Sequence, residues 1–132
     1  KAQLERDEGV RHTLYFDTLN IPTIGIGFNL KDGLSTEEID LIFRHRWNRY
    51  LEELISRLPW AAQLDAARLG VLINMAYNLG VPRLLLFKNM LASMGAGEWD
   101  KAANDALNSI WHTQVGQRAS RLADQLRTGL WR

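Results

Sequence analysis

Glu8, Asp17 and Thr23 fall within the stretch DEGVRHTLYFDTLNIPTIGIG, residues 7–27, among β-formers and glycines that have little structural use for two carboxyls and a hydroxyl. Two carboxyls held across a cleft are what glycoside hydrolysis needs. One protonates the leaving oxygen, and the other attacks the sugar or activates water on its opposite face. Each residue alone also has an ordinary explanation: an Asp that opens a turn bonds its own backbone, and a Glu in a first helix is usually solvated.

The flanking sequence indicates which elements carry these groups. AQLERDE, residues 2–8, is rich in good helix formers, and Gly9 follows as the residue best suited to the left-handed position that closes a helix, which places Glu8 at a helix C-terminus. TLYF, the turn-like DTLNIP and then TIGIGF read as a small antiparallel hairpin over residues 13–28, with Asp17 at a strand end. In STEE, Ser35 and Glu38 have capping-box spacing and start a helix. Its apolar positions Ile39, Phe43, Trp47, Tyr50, Leu51, Leu54 and Leu58 keep helical spacing until Pro59 ends it. A helix over 36–58 spans roughly 34 Å at 1.5 Å per residue, long enough for a strut between two lobes.

LDAARLGVLINMAYNLG is apolar around most of its circumference from Leu69 to Leu79, the mark of a helix surrounded by others. Gly80 and Pro82 stop it; LLLFKNMLASMG, EWDKAANDALN and QRASRLADQLRTG then predict three more helices. No internal repeat or low-complexity tract interrupts the chain. The fold class expected is α+β, predominantly α: one domain with a small hairpin lobe over about 1–35, a connecting helix over about 36–58 and a helical lobe over about 59–132.

Composition narrows the chemistry. At 132 residues with 46% hydrophobic and 23% charged, the chain is an ordinary globular domain, and with no cysteine it has neither thiol catalysis nor a disulfide frame. A formal net charge of +1 gives no whole-chain field for nucleic acid, and no run of about 18 apolar residues offers a membrane span. His12, His45 and His112 lack metal-site spacing, and no G-x-S-x-G elbow marks a serine nucleophile. TIGIG stops short of a phosphate loop, with Leu30 where a third glycine belongs, so its glycines read as sites of bending or close approach. Of the five tryptophans, Trp47 and Trp99 sit at apolar helical positions, while Trp111 and Trp131 lie beside loops where an indole can meet a sugar. Arg118 and Arg121 share one face of the last helix, opposite the apolar Ala119, Leu122, Ala123 and Leu126. That face is either solvated or aims an arginine at a carboxylate.

Taken together, these segments resemble the phage T4-type lysozyme family (glycoside hydrolase family 24), the endolysins and muramidases that cut bacterial peptidoglycan. The family signature, a Glu, eight residues, an Asp or Cys, five residues and a Thr, is met by Glu8, Asp17 and Thr23. The likeness continues through DEG, YFDT and TIGIG, skips a shortened hairpin region, and resumes through INMAYNLG, EWDKAANDAL and SIWHTQ to QRASRL and RTGLW.

The resemblance implies that Glu8 is the general acid, that Asp17 orients or deprotonates the attacking water, and that Thr23 helps hold it. It places Arg118 as the arginine that supports the catalytic Glu, and Tyr77, Asn78 and Asp105 along the saccharide cleft. Two departures stand out: Phe28 replaces a common histidine after TIGIG, and the loop between Leu30 and Ser35 is short. The implied activity is cleavage of the β-1,4 bond between N-acetylmuramic acid and N-acetylglucosamine, with inversion, leading to bacterial lysis. Its rivals are a lytic transglycosylase and a non-catalytic glycan-binding module on the same fold. The expected partner is the peptidoglycan glycan strand, reached at the cell wall or periplasm after synthesis in an infected host. A monomer is expected, without cofactor, metal, nucleic acid or membrane span.

Overall fold

Helix α1, Ala2–Glu8, opens the chain. The computed structural model describes residues 1–132 apart from the side chains of Ile110, Trp111 and His112, so the readings of Trp111 and His112 fall outside the described residues. Gly9 closes α1 with φ 73°, but its ψ of 172° is extended, not left-handed helical. The chain therefore leaves the helix directly into a strand. The β-formers expected as a hairpin make a three-stranded antiparallel sheet in the order β1-β2-β3: β1 Arg11–Phe16, β2 Pro22–Gly25 and β3 Phe28–Asn29. The third strand corrects the hairpin expectation. At two residues it is too short to show alternation, and its pairing of Ile24 with Phe28 and Thr23 with Asn29 depends on the reversal at Ile26 and Gly27.

A single 3₁₀ turn, Leu30–Asp32, leads to α2, Thr36–Arg57. The capping box forms as expected: the Ser35 N–H donates to Glu38 Oε2 at 2.7 Å and the Glu38 N–H donates to Ser35 Oγ at 3.2 Å. The chain divides into two compact units, 1–44 and 45–132, with the boundary inside α2. Among the described residues of the first unit only Thr23 is buried. Ile39 and Phe43, expected at apolar positions of this helix, are 53% and 46% exposed.

The second unit is helical. After a 3₁₀ turn at Pro59–Gln63 come α3 Ala66–Leu79, α4 Val81–Leu84, α5 Lys88–Gly95, α6 Trp99–Leu107, α7 Ile110–Val115 and α8 Gln117–Thr128. α3 is its centre, as its all-round apolarity predicts: Val71, Leu72, Ile73, Met75 and Ala76 are all buried. Leu54 from α2, Met90 and Met94 from α5, three alanines of α6, and Ala119, Leu122, Ala123 and Leu126 from α8 join it in one cluster. Trp47 and Trp99 pack at its margin, while Trp131 is 62% exposed with its ring edge against the bare Cα of Gly70.

Two helix boundaries differ from expectation. LLLFKNMLASMG is not one helix but the end of α4 and all of α5, broken at Leu85–Phe87. Pro82, expected only as a stop, sits in the first turn of α4, where its missing N–H costs nothing. Between α6 and α8, α7 adds a turn and a half before Gly116, at φ 51°, redirects the chain.

Candidate active site

The signature residues all lie in the first unit, and its backbone positions them. Asp17 follows the last pair of the β1-β2 ladder, Phe16 with Pro22, and Thr23 sits one residue inside the same end of that ladder, opposite Tyr15. The peptide groups of Ile21 tie the two together. The Ile21 N–H donates to Asp17 Oδ1 at 2.9 Å, and the Ile21 carbonyl accepts both the Asp17 N–H at 3.0 Å and the Thr23 hydroxyl at 2.9 Å. Leu19 N–H adds a second bond to Asp17 Oδ1 at 2.8 Å. Asp17 is thus both the turn former and the site candidate: Oδ1 is committed to the turn, and among the described residues no group bonds Oδ2.

Thr23 is 4% exposed, and its hydroxyl proton is spent on Ile21. What its oxygen retains is acceptor capacity. Glu8, at the C-terminal end of α1, lies against the β2-β3 turn. A methyl group built on Gly27 would sit 2.9 Å from Glu8 Oε2. The glycines of TIGIG therefore do two different things: Gly27 makes room for Glu8, and Gly25 makes room for the Phe28 ring, which an added Cβ would meet at 2.6 Å. Phe28 is exposed and covers Gly25 from β3.

The remaining candidates lie in the second unit. Arg118, on α8, is gripped by Asn74 of α3. Its Nε and Nη2 donate to Asn74 Oδ1 at 2.9 and 2.6 Å, and Nη2 reaches the Asn74 carbonyl at 3.3 Å. Asn74 is a residue that sequence reasoning passed over. Its signal was available, since an amide within the buried run Ile73, Met75, Ala76 needs a partner. Arg121 is exposed on the same helix.

Asp105 accepts a hydrogen bond from the buried Ser93 hydroxyl at 3.0 Å and lines a groove of about 540 Å³ with Leu79, Arg83, Phe87, Asn108 and Gln114. Tyr77 and Asn78 do not line that groove. Tyr77 is half-exposed and meets Tyr50 edge to face, with ring centroids 5.7 Å apart. His12 and His45 are exposed on separate elements, β1 and α2.

A family model described as phage lysozyme matches residues 5–127, nearly the whole chain and both groups of candidates. The chain belongs to the phage lysozyme family. It is accordingly a glycoside hydrolase of the muramidase kind, acting on the peptidoglycan of the bacterial cell wall. Among its relatives, the pre-baseplate central spike protein Gp5 of Enterobacteria phage T4 is 30% identical over 156 aligned positions, which take in 96% of this chain but only 27% of that protein. Two probable T4-type lysozymes of Dictyostelium discoideum are 25% and 24% identical, each match covering 98% of this chain and 94% of the relative. The match takes in about 127 of the 132 residues, so about 29 of its 156 positions fall opposite gaps in this chain. The described helices include none long and apolar enough to cross a membrane.

Proposed function

We propose that the protein hydrolyses the β-1,4 bond between N-acetylmuramic acid and N-acetylglucosamine with inversion, Glu8 donating the proton to the leaving oxygen and Asp17 taking one from the attacking water. The observation that carries this reading is the divided use of Asp17. With Oδ1 fixed by the Leu19 and Ile21 amides, the carboxylate cannot swing, and Oδ2 is held ready for a water.

Thr23 supplies the second contact, and its bonding fixes the direction of that contact. Because its hydroxyl donates to Ile21, it can only accept from the water. A water that donates one proton to Asp17 Oδ2 and the other to Thr23 Oγ1 keeps its lone pair for the anomeric carbon, which is the orientation attack requires. As bond cleavage proceeds, the proton on Glu8 moves to the glycosidic oxygen. The proton shared with Asp17 leaves the water as its oxygen bonds to carbon, so the sugar is released with a reducing end and inverted configuration.

In the helical unit we assign Arg118, oriented by Asn74, to supporting Glu8, and Tyr77, Asn78 and Asp105 to binding saccharide. Of these three, Asp105 has its carboxyl already steadied by Ser93.

The test is mass spectrometry of peptidoglycan digested by the wild type, Asp17→Asn and Glu8→Gln. Reducing N-acetylmuramic ends from the wild type, and almost none from either variant, are expected. A 1,6-anhydro end made equally well by Asp17→Asn would transfer the reading to a lytic transglycosylase. Wall binding without any cleavage by the wild type would transfer it to a glycan-binding module.

A further inference from the structure

We propose that Gly27 is a positioning residue for the catalytic carboxyl, holding Glu8 in place by offering it a turn with no side chain to rest against. The inference rests on the reading of Glu8 as the general acid. Three contacts carry it: a Cβ on Gly27 would lie 2.9 Å from Glu8 Oε2, 3.3 Å from Cδ and 3.4 Å from Cγ. The whole outer half of the Glu8 side chain thus lies over this one α-carbon. Among the described residues of the first unit, no hydrogen bond or ion pair to that carboxyl competes for its position.

Gly27 also has φ +67°, so its conformation alone could explain a glycine. The neighbouring loop provides the comparison that separates the two demands. Gly33 has φ +76°, and nothing lies within 4 Å of a Cβ built there. Backbone geometry requires glycine at 33, whereas at 27 backbone geometry and the approach of Glu8 both require it. A side chain at 27 would push outward the carboxyl that must reach the glycosidic bond. Displacement of a reacting group by about 1 Å is enough to lower turnover roughly a hundredfold. Glycan contacts made elsewhere would be untouched, so KM should hardly change.

The experiment compares Gly27→Ala and Gly27→Asn with Gly33→Ala and Gly33→Asn, measuring kcat and KM on soluble uncrosslinked glycan strands and confirming folding by circular dichroism. Asparagine is included because it tolerates positive φ far better than alanine, so it carries the test if Gly27→Ala does not fold. Both Gly27 variants are expected to lose roughly a hundredfold in kcat with KM within about twofold, and the Gly33 variants to keep kcat near the wild-type value. A double-mutant cycle adds a readout that a merely structural role would not move. In a Glu8→Gln background the further loss from Gly27→Asn should disappear. Equal kcat losses at 27 and 33, a loss confined to KM, or a full further loss in the Glu8→Gln background would overturn the proposal. Near-normal turnover by Glu8→Gln alone would instead overturn the acid assignment, and the proposal with it.

Discussion

Residues 45–132 are organised around a continuous apolar cluster running from Leu54 to Leu126, while residues 1–44 bury nothing apolar and keep their active groups in place by other means. In the larger unit, packing fixes side chains. In the smaller one, backbone hydrogen bonds from Leu19 and Ile21, a capping box at Ser35 and the bare α-carbon of Gly27 take that task. The two regions should therefore fail differently. Substitutions in the core should cost stability and spare the chemistry, and substitutions at the signature residues should spare the fold.

The largest effect that would test this contrast is at Glu8 and Asp17. Glu8→Gln should lower kcat by about 10²–10⁴-fold, the range for losing a general acid, with an unchanged melting temperature. Asp17→Asn should do likewise, because the amide oxygen can still accept both turn bonds. Asp17→Ala should lose that activity and in addition about 1 kcal/mol of stability, measured by denaturant titration. A stability loss in Asp17→Asn as large as in Asp17→Ala would break the separation of roles between the two oxygens.

In the core, Leu72→Ala should destabilise by about 2–5 kcal/mol while kcat, measured well below the melting temperature, stays near wild type. Leu72 is fully buried at the centre of α3, so the cavity has little chance to close. A smaller effect is expected at Thr23, where Thr23→Val keeps the shape but removes the acceptor. We expect roughly a tenfold loss in kcat, corresponding to one hydrogen bond, and Thr23→Ser should restore most of it. The smallest is Ser35→Ala, which removes one half of the capping box. It should cost about 1 kcal/mol of stability without altering kcat, showing that the small unit can be weakened where no signature residue is touched.

What could be read from the residues alone follows the range of the interactions involved. The ends of α1 and α2, the capping box and the buried face of α8 are set by neighbours within a few positions, and the local pattern identifies them. The break at Leu85–Phe87 is different. No glycine or proline marks LLLF, so nothing local shows that α4 ends at Leu84 and α5 begins at Lys88. At the site, the spacing of Glu8, Asp17 and Thr23 was legible, but the division of Asp17 between turn and water was not, because it depends on where the Ile21 peptide points. The grip of Asn74 on Arg118 spans 44 residues and joins two helices, so only the fold discloses it. The glycines of TIGIG mark a place of bending or close approach, by a ligand or another backbone, but their spacing does not say what approaches. The partner at Gly27 turned out to be the chain's own Glu8, and at Gly25 the ring of Phe28.

The central claim is that Asp17 and Thr23 direct a water at the anomeric carbon while Glu8 protonates the leaving oxygen. Proton NMR of freshly released product, recorded before mutarotation, tests it most directly. The account predicts that the new N-acetylmuramic acid reducing end appears first as the α-anomer. A β-anomer formed first, or a 1,6-anhydro end, would contradict it.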